Sequence, residues 1–174
     1  MQSSKAHDVV NAQAIAKLSD QISEKIQQGL GGNFVILERP SATTPLLRFT
    51  TPFKNFLGRK IDLNLLLSPK GDPNDIMITD LGWTLSDAVL VNHQICFYSI
   101  QELRNADHLN DQQRLMTNQL LNLLRKNQLS DCFQNQHQQL YCYSNLDQLV
   151  DDLFAFLQAL LEINSFLNNL ISQK

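Results

Sequence analysis

Residues 146–174 read LDQLVDDLFAFLQALLEINSFLNNLISQK, and this stretch decides the architecture. Leu149, Leu153, Phe156, Leu160, Ile163, Leu167 and Leu170 recur at alternating spacings of four and three. No polar residue interrupts them, so they write one apolar seam along a helix. A second row (Leu146, Val150, Leu157, Leu161, Ile171) broadens the seam into a face. A face this wide needs a partner surface, either the chain's own sheet or a second copy of the chain. The spacing predicts a helix from about Asn145 to Leu170, capped by Ser144 and Asp147. Leu153, Phe156, Leu160, Ile163 and Leu167 are then expected to lie partly on the sheet and partly in a homodimer interface.

Working back from that helix, strand and helix signals alternate. Cys132-Phe133 and Leu140 to Tyr143 flank Asn135-Gln136-His137-Gln138 as a hairpin. Asp111 opens a helix with Met116, Leu120, Leu123 and Leu124 inside. Residues 92–110 carry no single period, and Ile95 to Ile100 fits a strand or a buried loop. Thr84 followed by Asp87 resembles a capping pair for a short helix to about Val91. In residues 60–67, Ile61, Leu63, Leu65 and Leu67 face one way and Asp62 and Asn64 the other, as in a half-buried antiparallel strand. Pro69, Gly71, Asp72 and Pro73 turn this strand into another at 75–79. Two earlier strands are Phe34 to Leu37, stopped by Pro40, and Leu46 to Thr50, ended by Pro52. Residues 8–30 repeat Val10, Ile15, Leu18, Ile22, Ile26 and Leu30 at helical spacing. Asp8 or Asn11 would cap that helix, and Gly29, Gly31 and Gly32 would end it. The order predicts an α+β fold. Its antiparallel sheet would have about four to six strands, packed by an N-terminal, a middle and a long C-terminal helix within one domain over 1–174.

At 174 residues and 43% hydrophobic, the chain can bury a full core without staples. Only 18% of it is charged, so 18 Gln and 16 Asn supply the surface polarity. They are scattered rather than clustered, which excludes a low-complexity tract. A net charge of -3 makes nucleic acid the less favoured partner, because phosphate-backbone binding rests on clustered Lys and Arg. Cys96, Cys132 and Cys142 are an odd number without paired spacing, and MQSSKAHDVV lacks the apolar core of a secretory signal. With no run of 18 apolar residues, the expected setting is reducing and cytoplasmic, without membrane contact.

The candidate chemistry is sparse. Asp80 with Asp62 or Asp75 would offer carboxylate oxygens to a divalent metal, with Lys60 and His93 as neighbours. The plainer reading makes Asp80 a turn residue and Gly82 a position of positive φ. Trp83, the sole tryptophan, is either a recognition anchor or a lid on the core, and the lid is expected. Cys132, His137 and Cys142 lack the close cysteine pair of a zinc site, even with Cys96 or His108 added. Gly29 to Gly32 follows a helix, the reverse of a phosphate loop. Arg48, Lys54, Arg59 and Lys60 interleave with Phe49, Phe53 and Phe56, the best patch for single-stranded nucleic acid. Strand alternation would send those rings inward. No metal, cofactor or catalytic constellation is expected.

Thr51-Pro52-Phe53 ahead of a strand, and Thr79-Asp80-Leu81-Gly82-Trp83-Thr84-Leu85-Ser86-Asp87, resemble a bacterial and phage family known as domain of unknown function 1828. The likeness spans about residues 46–170. That family's second motif runs roughly Thr-Asp-Asp-Gly-aromatic-Thr-Leu-x-Asp, and this chain departs from it at Leu81. The resemblance implies a mobile-element setting and no established reaction. The same segment reads as a stiff corner, which makes Asp80, Gly82, Trp83 and Asp87 recognition candidates. The element order is also similar to that of small dimeric secretion chaperones, a fold-level likeness only. The expected function is a non-catalytic protein–protein binding module, homodimeric, acting as a defence or anti-defence inhibitor or in a chaperone-like role. The alternative is a metal-dependent enzyme acting on nucleic acid through Asp62, Asp75 and Asp80.

Overall fold

The ladder Ile15, Leu18, Ile22 and Ile26 buries one stripe of helix α1 (Gln2–Leu30), each residue at most 4% exposed. The computed structural model describes residues 2–41, 44–68, 71–91, 109–132 and 139–172. Because α1 begins at Gln2, Asp8 and Asn11 lie within it and do not cap it. Gly31 turns the chain out of the helix at φ 77. Gly29 is not part of that stop. It sits inside the helix, where a Cβ would lie 2.7 Å from Val150 Cγ1, so its small size lets α1 lie close to the C-terminal helix.

Six strands form one antiparallel sheet: β1 (Val35–Glu38), β2 (Leu46–Lys54), β3 (Lys60–Leu67), β4 (Ile76–Thr79), β5 (Ser130–Cys132) and β6 (Gln139–Ser144). Their spatial order is β1-β2-β3-β4-β6-β5, so β6 pairs between β4 and β5. Alternation on β3 holds on its core face, where Ile61, Leu63, Leu65 and Leu67 are buried. Register places Phe49 beside Leu63 and Leu65 beside Ile78, which continues the apolar row across three strands. Two expectations about the sheet need correction. β2 does not end at Pro52 but runs to Lys54; the ladder slips between Thr50 and Lys54, where proline's missing N–H is tolerated. Asn64, expected to face water, is 1% exposed, and its Oδ1 is a buried acceptor without a hydrogen-bond partner among the described residues.

The remaining elements among the described residues are helices α2 (Trp83–Val91), α3 (Asp111–Lys126) and α4 (Leu149–Ser172), and α1, α2 and α3 all pack on α4. α3 starts with a reciprocal capping box between Asn110 and Gln113. In the turn at 146–148 that leads into α4, Asn145 Oδ1 accepts from the Asp147 and Gln148 amides at 3.0 Å, closing the approach to the helix. The expected caps act otherwise: Ser144 Oγ donates to Asp152 at 2.6 Å, and the Asp147 side chain points to solvent near Lys25. By length and composition alone, α4 is long and apolar enough to cross a membrane, with a mean hydropathy of 1.2. Its seam is instead committed to the core. Leu153, Phe156, Leu160, Ile163 and Leu167 are each at most 1% exposed within a single copy of the chain. The part of the expectation that lays this face on the sheet accounts for them: within one copy the sheet and the other described helices enclose these five side chains and leave them little surface for a second subunit. Residues 92–108, including the ambiguous Ile95 to Ile100, lie outside the described residues, as do residues 133–138, where the sequence predicts a hairpin turn.

Candidate functional site

The corner between β4 and α2 is built on one carboxylate. Asp80 is 1% exposed, and its Oδ1 accepts from the Gly82 amide at 2.8 Å and the Leu140 amide at 2.9 Å. Its Oδ2 accepts from the Thr84 amide at 3.0 Å. One side chain therefore caps α2 and ties it to β6, the role the sequence suggested for Thr84. Burial raises the Asp80 pKa above the usual carboxylate range, while those amides and the Thr84 hydroxyl pull it back down.

The backbone turns sharply at the next two residues. Leu81 has φ 52 and Gly82 φ 83. Glycine adopts that angle without penalty, but leucine pays about 1 kcal/mol or more for it. Asp and Asn tolerate the left-handed region better than leucine. The aspartate expected at position 81 from the family motif therefore has a backbone reason that needs no chemical role. Leu81 nevertheless holds this strained position with its side chain 39% exposed, and its amide donates to Thr79 Oγ1 at 3.0 Å.

Trp83 corrects the main expectation at this corner. It is not a core lid but stands 61% exposed. A cleft of about 190 Å³ opens beside it, with walls from β2, β3 and α2. Three candidate carboxylates line it, each already engaged. Asp62 holds Arg48 at 2.5 Å, and Asp87 accepts from Asn55 Nδ2 at 3.1 Å and from Arg59 Nη1 at 3.5 Å. Asp80 forms the cleft's floor, held by its amides. Asp75 is exposed at the opposite end of β4, so the set Asp62, Asp75 and Asp80 does not converge. Among the described residues, no three His, Cys, Asp or Glu side chains gather as a metal site.

The basic and aromatic patch divides. Phe49 is fully buried against Phe34, with ring centroids 6.1 Å apart, and Phe56 is partly buried. Phe53 is 37% exposed. Arg48, Arg59 and Lys60, by contrast, all line the cleft beside Trp83. Sequence reading missed two asparagines that hold this site. Asn55 Oδ1 accepts from the Leu57 and Arg59 amides at 3.0 Å, while its Nδ2 reaches Asp87. Asn164 of α4 accepts from the Phe56 amide at 3.1 Å. Asn55 with Gly58 three residues on was a legible turn signal; Asn164, 108 residues away from Phe56, was not.

Burial, and then the Asp152 charge, push the Cys142 thiol up to about 12, away from the thiolate form that nucleophilic attack requires. The Cys132 side chain, Cys96, His108 and His137, the residues of the disfavoured zinc set, and His93, the expected neighbour of Asp80, lie outside the described residues. Comparison with known proteins gives no matching family model, curated protein or solved structure. The likeness to the 1828 family therefore rests on the quoted motifs.

Proposed function

We propose that the chain is a non-catalytic protein-binding module that engages its partner through the Trp83 corner. The observation that carries this is a lone tryptophan, 61% exposed, on a backbone held by a buried carboxylate. Tryptophan dominates binding hot spots because it offers a large contact area at little entropic cost. Leu81 adds an apolar neighbour in a strained conformation, and strain of this kind persists where a displayed side chain has a use. The family resemblance supports a bacterial or phage setting, in which a defence or anti-defence inhibitor, or a chaperone-like role, suits such a module. The unpaired cysteine pattern supports a cytoplasmic location. The metal-dependent enzyme has less support, because Asp62 and Asp87 are held by arginines and Asp75 is remote.

The test is capture from a host-cell lysate on immobilised wild type and Trp83→Ala, followed by titration of the purified captured protein against both. Loss of a hot-spot tryptophan should weaken binding roughly 30-fold or more. Unchanged affinity in a folded Trp83→Ala variant would overturn the proposal. So would magnesium- or manganese-dependent cleavage of nucleic acid that Asp62→Ala abolishes.

A further inference from the structure

We infer that the partner segment recognised at this corner is acidic, presenting carboxylates to the cations around the cleft and an apolar side chain to the Trp83 indole. This rests on the reading of the corner as a protein-binding site. In the cleft, the anions are inside and the cations outside. The Asp87 side chain is 8% exposed and that of Asp62 25%, whereas the Arg48 and Arg59 side chains are 42% and 69% exposed. An incoming segment therefore meets guanidinium N–H groups before it meets any carboxylate. Each guanidinium carries five N–H donors, a fork suited to a carboxylate, and the Arg59 contact to Asp87 is long at 3.5 Å.

The second observation is a strand pair at the edge of the cleft, one member of which, Lys60, lines it. Lys54 and Lys60 are direct cross-strand partners on β2 and β3, and both are exposed. Among the described residues neither has a carboxylate within 4.0 Å. Like charges directly opposite each other destabilise a sheet, so this pair leaves a local positive charge that an acidic partner would neutralise. It does so in a chain whose net charge is -3, where local basic charge stands out against the whole. A protein segment fits better than a nucleic acid. The cleft of about 190 Å³ suits a single side chain, and the inner carboxylates of Asp62 and Asp87 would repel a continuous phosphate track.

Trp83 is the chain's only tryptophan, so its emission reports this site directly. The probes are two synthetic twelve-residue peptides, one alternating Glu and Leu and one alternating Lys and Leu, together with a twelve-nucleotide single-stranded DNA. Each is titrated at low and at physiological salt into wild type and into Lys54→Glu/Lys60→Glu, whose fold is checked by circular dichroism. The acidic peptide should shift Trp83 emission saturably, bind more weakly at the higher salt, and lose at least tenfold in affinity for the double variant. No saturable response to the acidic peptide, an equal response to the basic one, or tighter binding of the DNA would overturn the inference. So would an unchanged affinity in the double variant. The two proposals fail separately. A captured partner lost by Trp83→Ala but bound normally by Lys54→Glu/Lys60→Glu leaves the protein-binding site standing without its acidic partner.

Discussion

Replacing Asp80 by alanine tests the corner at its mechanical centre. The carboxylate accepts three backbone amides, from Gly82, Thr84 and Leu140, at 2.8 to 3.0 Å in a site 1% exposed. A buried donor left without an acceptor costs about 1–3 kcal/mol. Water admitted through the adjacent cleft would satisfy part of that loss, so the expected destabilisation is roughly 3–5 kcal/mol. That is a large share of the roughly 5–15 kcal/mol that holds an ordinary domain together. In urea denaturation followed by circular dichroism, the midpoint should fall by about 2 M at a typical slope of about 2 kcal/mol per molar. Trp83 emission should change at lower urea than the helical signal, because the α2 cap releases first. Asp80→Asn keeps one carbonyl acceptor and should fall between the two. The pH dependence has a definite sign. Burial raises the folded-state pKa above the unfolded value of 3.8, so proton binding favours the folded chain. That contribution is complete below 3.8 and fades as pH rises through the folded value, so the gap between wild type and Asp80→Asn should narrow from acid towards neutral pH. An Asp80→Ala variant within 1 kcal/mol of wild type would refute the claim that this carboxylate holds the corner.

Trp83→Ala should change stability by less than about 1 kcal/mol, against the roughly 3–5 kcal/mol lost when a buried aromatic is removed; thermal melting decides between them. Leu81→Asn should raise stability by roughly 0.5 kcal/mol by relieving the positive φ, while weakening capture of the partner. Leu153→Asp should unfold the chain rather than release folded monomers, since a buried unpaired charge costs several kcal/mol, and circular dichroism with size-exclusion chromatography reads both outcomes. With its pKa at about 12 in place of 9.0, Cys142 in the native chain should alkylate about a thousand-fold more slowly than an ordinary thiol near pH 8, scored by peptide mass spectrometry with the denatured chain as reference.

What the sequence determined by itself is what depends on neighbours along the chain. The 3.6-residue rows of α1, α3 and α4, the two-residue alternation of β3 and the β3–β4 turn were all legible, because side-chain periodicity is fixed by local backbone geometry. The positive φ of Gly82 was legible for the same reason. The tertiary structure alone decided where each face went. Periodicity marks a face as apolar without naming its partner, and the seam of Leu153, Phe156, Leu160, Ile163 and Leu167 closed on the chain's own sheet and helices. It also decided the caps. Asp80 takes the amides expected of Thr84, and Asn145 holds the turn ahead of α4 where Ser144 and Asp147 were expected as caps, since such a bond depends on which oxygen the folded turn brings within 3 Å. The site followed the same rule. Whether Trp83 lay inside or outside, and whether Asp62, Asp87, Arg48 and Arg59 shared one cleft, depended on the pairing of β2 with β3 and the packing of α2 beside them. Those contacts join residues 14 to 32 positions apart, beyond the reach of any local pattern.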